Sequence, residues 1–164
     1  MLVQIGLIAL FMSFIVAVYA TCASFYGGRK DRPVLIESGR NGALLTFPLL
    51  TISLLVLVYS LITMDFSLVY VSDVASRAMS LFLRVTALWG GQAGSILFWA
   101  WMMSGFVAAV TLRKWERDRV LMPYVIAVAM GTTAFFIGLS VFITNPFTRL
   151  WHVAGAQELT TTLL

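Results

Sequence analysis

One seven-residue stretch holds most of the usable chemistry in this chain: Trp89-Gly90-Gly91-Gln92-Ala93-Gly94-Ser95. A bulky indole, three glycines, an amide and a hydroxyl stand together in a sequence otherwise dominated by Leu, Ile, Val, Phe, Met and Ala. Glycine admits backbone shapes closed to other residues and lets a ligand approach the main chain closely. Ser95 is placed to N-cap the apolar segment that follows it. The amino end of a helix, with free N–H groups and partial positive charge, favours an anion. Trp89 sets a flat apolar face beside that end. Upstream, Arg77 and Arg84 supply cations and share one helical face with Ser80. Trp89, Gly90, Gly91, Gln92, Gly94, Ser95, Arg77 and Arg84 therefore form a candidate binding site. Its ligand would be flat and apolar, with carboxylates along one edge. The plainer alternative for the same residues is a tight turn with an aromatic anchor, its arginines resting on lipid phosphates.

Haem has that shape, but a ligand for its iron is not evident. His152 is the only histidine and reads as an ordinary surface residue near Arg149 and Trp151. The single cysteine, Cys22, excludes zinc-type and redox-pair spacings, and inside an apolar run it behaves as a small hydrophobe. Asp65, Asp73 and Glu158 form no catalytic pair. There is no nucleophile with its base, no phosphate loop and no metal cluster. No catalytic residue and no metal site is expected.

The elements that position the stretch are membrane helices. Of 164 residues, 60% are hydrophobic and 11% charged, where a soluble domain carries about a quarter charged; mean hydropathy is +0.95. Four uncharged runs, 1–28, 41–64, 85–112 and 120–148, each exceed the roughly 20 residues that cross a bilayer as a helix. Lipid offers the backbone no water, so each must be helical. The expected fold is all-α: a polytopic transmembrane bundle, one membrane domain over 1–164. Its spans are Ile5–Phe25, Leu44–Met64, Ile96–Leu112 and Pro123–Thr144, with an outer loop 65–95. Pro48 either kinks the second span or starts it. Gly105 and Ala109, and Ala127, Gly131, Ala134 and Gly138, are spaced for close helix packing. Trp99, Trp101, Trp115 and Trp151 fall near span ends, as interfacial aromatics do.

Charge placement gives the orientation. Arg29, Lys30, Arg32 and Arg40 are assigned to the loop after the first span, and Arg113, Lys114, Arg117 and Arg119 to the loop after the third. Only Arg77, Arg84 and Arg149 lie on the other side. Basic residues stay cytoplasmic, so both termini and the 65–95 loop are expected outside, on the extracytoplasmic face of a bacterial inner membrane. The net charge of +4 is accounted for by this bias rather than by nucleic acid. A first run with no basic residue before Arg29 reads as a retained helix, not a signal peptide.

Within the outer loop, Phe66-Ser67-Leu68-Val69-Tyr70-Val71 is β-branched and aromatic and reads as a short strand or extended piece. Val74, Ala78, Leu81, Val85 and Leu88 then recur at helical spacing opposite Arg77 and Arg84. That predicts a short amphipathic helix lying in the interface.

Asp65-Phe66-Ser67-Leu68-Val69-Tyr70-Val71-Ser72, followed by Leu83-Arg84 and by Thr86-Ala87-Leu88-Trp89-Gly90-Gly91-Gln92-Ala93-Gly94-Ser95-Ile96-Leu97-Phe98-Trp99-Ala100-Trp101, resembles the amino-terminal part of the CcmF family. Those proteins are the haem lyase subunit of the bacterial cytochrome c maturation system. The family pattern runs DFSxxYVA, a short linker, then ALWGGxEGSLLLWAW. The likeness extends more loosely from Met1 to Asn145-Pro146-Phe147. Two departures stand out: Ala93 replaces the usual glutamate, and the linker Asp73–Ser80 is not asparagine-rich.

The resemblance implies a role in attaching haem to apocytochrome c, with haem as cofactor. It implies a haem chaperone, apocytochrome c and other maturation subunits as partners. The family's reaction joins two cysteine thiols of a Cys-x-x-Cys-His motif to the haem vinyl groups, so the nucleophiles belong to the substrate. Family members are several times longer, and their axial histidines, the first in a His-Pro-Pro context, follow the matched region. His152 is not in that context and takes no ligand role. The chain is expected to be a fragment of a longer protein and not catalytic alone. The competing reading is a helical subunit of a transporter or ion-translocating complex. Such proteins place ionisable residues inside their spans, and the four spans predicted here contain none.

Overall fold

The computed structural model describes residues 1–113 and 120–149. It is all-α as expected, with four long helices: α1 (Leu2–Arg29), α2 (Pro33–Thr63), α5 (Gln92–Leu112) and α6 (Met122–Phe142). Each is long and apolar enough to cross a membrane, so this is a multi-pass membrane protein. Two short helices, α3 (Val69–Val74) and α4 (Leu81–Thr86), and a 3₁₀ turn (Ala87–Trp89) form a cap between α2 and α5. The long helices close a ring in which α1 packs on α2, α2 on α5, α5 on α6 and α6 back on α1, and α2 also touches α6 across the middle.

The helices run longer than the apolar runs. α1 and α2 together leave only Lys30, Asp31 and Arg32 as a turn. Pro33 starts α2, where its missing N–H costs nothing. Asp31 takes the left-handed conformation (φ 48°) that lets the chain reverse in so few residues. Arg40, assigned to a loop from sequence, therefore lies in α2. Pro48 sits exposed inside α2 and neither starts nor ends it. At the other end, α5 begins at Gln92 rather than Ile96, so the outer loop is shorter than 65–95 by a helical turn.

A seam of small residues repeats every seven positions in each long helix. It comprises Gly6, Ser13, Ala20 and Gly27 in α1, and Gly39, Thr46, Ser53 and Ser60 in α2. In α5 it is Ser104 and Thr111, and in α6 Thr133 and Ser140, all buried. A seven-residue period keeps one stripe facing its neighbours in a left-handed bundle. Without a hydrophobic drive between helices in lipid, close backbone approach takes its place. The hydroxyls of Ser13, Thr46, Ser60 and Thr133 donate to carbonyls three or four residues back in their own helix, at 2.7–3.0 Å. The small residues seen in sequence are split. Ala127 and Ala134 are buried, Gly105 seats Phe47 and Gly138 seats Phe14, but Ala109 faces outward.

After α6 the chain returns over the cap end. Asn145 Oδ1 accepts from the Phe147 N–H at 2.9 Å, and Phe147 is driven between α1 and α2. There a Cβ on Gly6 would lie 2.8 Å from the Phe147 ring and 2.8 Å from Val56. Gly6→Leu is accordingly expected to lose about 1–3 kcal/mol through overpacking, read as a lowered unfolding midpoint in detergent.

The strand expected over Phe66–Val71 does not form. Leu68 makes a single bridge to Arg149, and the Val69 N–H donates to the Thr148 carbonyl at 3.0 Å. From Val69 the chain is helical. The reason is tertiary: as a helix, Tyr70 and Val71 both face the bundle and are buried, whereas a strand would turn alternate residues away.

Candidate functional site: the cap and its tryptophan ledge

The cap is built around Tyr70, a residue that sequence reading did not single out. Its side chain is 7% exposed. The phenol proton is directed at the Leu88 and Ala87 carbonyls, at 2.9 and 3.0 Å. The ring and its hydroxyl lie close against Gly91 and Gly94, at the head of α5. A phenol has one proton to give, and the two carbonyls share it. Burial pushes the Tyr70 phenol above its ordinary value of 10.0, and the nearby backbone of Gly91 and Gly94 opposes that rise. The neutral form is thus favoured in the folded chain. What Tyr70 contributes to stability is complete below pH 10 and is lost only as pH climbs through the raised folded value.

This arrangement explains the glycines. Gly90 (φ −69°) and Gly91 (φ −134°) do not use a conformation reserved for glycine. At Gly91 and Gly94 the constraint is the close approach of Tyr70. A Cβ on Gly91 would sit 2.7 Å from the Tyr70 ring and 2.9 Å from Val74. A Cβ on Gly94 would collide with the Tyr70 hydroxyl and the Leu88 carbonyl. Ser95 is not the N-cap; Gly91 holds that position and Ser95 is already inside α5, its N–H bonded to the Gly91 carbonyl at 3.2 Å. The Ser95 hydroxyl donates to the Trp89 carbonyl at 3.4 Å. A helix leaves its first N–H groups unpaired. The sequence pointed to Ser95 as their cap in α5, but no side-chain cap bond is made there.

Trp89 projects from this frame, half exposed, with Phe98 set edge-on against it at 4.9 Å between ring centroids. The aromatic row continues inward through Trp101, 5.8 Å from Phe98, to Phe47 of α2, stacked 5.9 Å from Trp101. The Trp101 indole N–H donates to Thr51 Oγ1 at 2.9 Å and ties α5 to α2. Gln92 beside Trp89 is exposed, while Ala93 packs at the edge of the core.

The two arginines behave differently from each other. Arg84 is turned inward: its Nε donates to the Met79 carbonyl at 3.1 Å and its Nη1 to the Ile62 carbonyl, in the last turn of α2, at 3.2 Å. A cation there also suits the negative end of the helix. Arg77 is exposed and lies over the Phe66 ring, 5.8 Å from its centroid. Among the described residues, the structure brings Gly91, Gly94 and the Ala87 and Leu88 carbonyls around Tyr70, and sets the arginines against α2 and Phe66 rather than against the Trp89 ring.

The amphipathic helix is therefore shorter than expected and reversed. Only Leu81–Thr86 is helical. Its arginine faces the protein, and Leu81, Phe82, Leu83 and Val85 face out. The carbonyl of Ile62 at the end of α2 and that of Met79 give the guanidinium its partners on the protein side. Lys114, Trp115, Arg117, Arg119, Trp151 and His152 lie outside the described residues.

No family model matches the chain. Curated relatives do. The chain is 29% identical over 155 residues to the cytochrome c-type biogenesis protein CycK of Rhizobium meliloti, covering 94% of this chain and 23% of that protein. It is 30% identical over 154 residues to the cytochrome c-type biogenesis protein NrfE of Haemophilus influenzae, covering 92% and 24%. It is 28% identical over 149 residues to the cytochrome c-type biogenesis protein CcmF of Escherichia coli, covering 91% and 23%. The chain thus spans about a quarter of the length of the curated relatives it matches. Among solved structures, a cytochrome c haem lyase CcmF superposes with a TM-score of 0.85 at 21% identity, covering 93% of this chain and 26% of that one, so the fold is shared. A four-helix membrane bundle and a sequence likeness over nine-tenths of its length together make this chain CcmF-like, similar to the amino-terminal portion of the cytochrome c-type biogenesis proteins.

Proposed function

We propose that the chain is the amino-terminal membrane segment of a haem lyase that matures c-type cytochromes, and that its cap faces the extracytoplasmic side of the bacterial inner membrane. The orientation follows from the charge bias, since Arg29, Lys30, Arg32 and Arg113 all lie at the end of the bundle away from the cap. The observation that carries the reading is the fixed, half-exposed Trp89 at the cap end, within a CcmF-like sequence.

The residues present fit the edge of a haem in one part and not in another. Trp89, with Phe82 and Val85 exposed nearby in sequence, offers apolar surface, and Gln92 an amide. Arg77 is the exposed cation that would meet a propionate. Gly91 and Gly94 are packed against Tyr70 and Arg84 is committed to α2, so their role is to hold the ledge. Gly90 and Ser95 complete its backbone. When bound, haem supplies the vinyl groups to which apocytochrome thiols add. This chain's part is to orient the macrocycle and to shield one edge of it from water. No catalytic residue is proposed in it. A haem chaperone, apocytochrome c and other maturation subunits would meet it at the cap, and the outward apolar side of α4 would lie in the interface.

Two measurements test the reading. A reporter fused at residue 92 should report an extracytoplasmic position, and a cytosolic one would sink it. Trp89→Ala and Arg77→Gln should each lower co-purified haem, Trp89→Ala by up to about tenfold if one aromatic stacking contact is lost, with bundle stability unchanged. Unchanged haem content in both would return these residues to the role of interfacial anchors.

A further inference from the structure

We infer that Tyr70 is the positioning residue of the Trp89 ledge: its hydroxyl, supplied from α3, pins the chain just before the indole, and its ring seats the head of α5. This rests on the haem-contact reading of the ledge for its functional meaning, but the geometry stands apart from that reading.

Two observations converge. The Tyr70 hydroxyl is directed at the Leu88 and Ala87 carbonyls, immediately before Trp89 in sequence, so one atom holds the chain leading into the indole. Gly91 and Gly94 leave no room for a Cβ beside the phenol ring. The indole has no such clasp of its own. Its ring touches Phe98 and its carbonyl meets the Ser95 hydroxyl at 3.4 Å, but the two residues leading into it are held through Tyr70. Loss of the hydroxyl would strand the Leu88 carbonyl, the Ala87 carbonyl keeping the Gly90 N–H at 2.9 Å, while leaving the ring to fill its space.

Tyr70→Phe is the test, in the whole chain reconstituted in nanodiscs, with Gly94→Ala as the second variant that displaces the hydroxyl from the opposite side. Backbone hydrogen exchange over 88–95 should rise about tenfold in Tyr70→Phe, the scale set by one well-satisfied buried hydroxyl. Exchange in α1, α2 and α6 should stay as in the parent. Hemin titration should show affinity falling by a similar factor, an effect that a residue serving stability alone would not produce while the bundle remains folded. The double variant should lose little more than either single one, because both remove the same contact. Unchanged exchange over 88–95 in Tyr70→Phe overturns the inference. If the parent chain binds no hemin but exchange rises as expected, the clasp stands and the haem-contact reading of the ledge falls.

Discussion

Gly94→Ala lowers the stability of the cap by about 2 kcal/mol and frees Trp89. Alanine in a helix interior is ordinarily worth about 1 kcal/mol over glycine, so a gain would be expected from helix propensity alone. The site reverses the sign. The new methyl group would fall on the Tyr70 hydroxyl and the Leu88 carbonyl, and neither is the far end of a flexible chain. Tyr70 is wedged against Gly91 and Val74, and the carbonyl belongs to the buried Leu88. Relief requires the phenol to withdraw, giving up hydrogen bonds whose buried partners then cost about 1–3 kcal/mol unpaired. Gly131→Ala is the matched control: there a Cβ would meet only Thr21 Cγ2, at an ordinary 3.5 Å. That variant should be neutral or more stable by up to about 1 kcal/mol. Denaturant unfolding in a fixed detergent reads both, and equal effects at the two glycines would show that Tyr70 does not set the cost.

Arg84→Met is expected to cost about 2–3 kcal/mol, the range for a charged donor bonded to carbonyls. Methionine keeps much of the apolar stem and removes every donor. The Ile62 carbonyl, near the end of α2, and the Met79 carbonyl, before α4, would both lose their partner. α4 touches the long helices mainly through α2 and has no buried residue of its own. Without the guanidinium little remains to hold it. Limited proteolysis between Ser76 and Thr86 should become much faster, while α1, α2, α5 and α6 stay intact. A surface arginine resting on lipid phosphate would give neither effect, so an unchanged digestion pattern would restore that simpler picture.

The contrast between the two arginines shows what kind of information the sequence lacks. Arg77 and Arg84 sit on one face of an idealised helix, and from sequence they look equivalent. In the structure the helix between them is broken, since residues 75–80 are not helical. One side chain turns to α2 and the other to Phe66. Nothing local distinguishes them; the difference is the position of the carboxyl end of a helix that closes some twenty residues earlier in the chain. The same holds for the β-branched run at Phe66–Val71. Its composition favours a strand, but the partner available offers one bridge, and burial of Tyr70 and Val71 favours a helix.

The sequence by itself determined the four membrane helices, because a bilayer leaves an uncharged run of over twenty residues only one way to satisfy its backbone. It also located the Trp89 ledge as the unusual place, and the likeness to CcmF-type proteins, since both depend on residue identity alone. Only the tertiary structure decided why the glycines are there. A glycine required by close approach is indistinguishable, in sequence, from one required by an unusual backbone angle or by a ligand. The atom that makes the approach here is the hydroxyl of Tyr70, two dozen positions before Gly94. Its place at the head of α5 is set by how the cap folds onto the bundle, a matter of three-dimensional contact that no local pattern encodes.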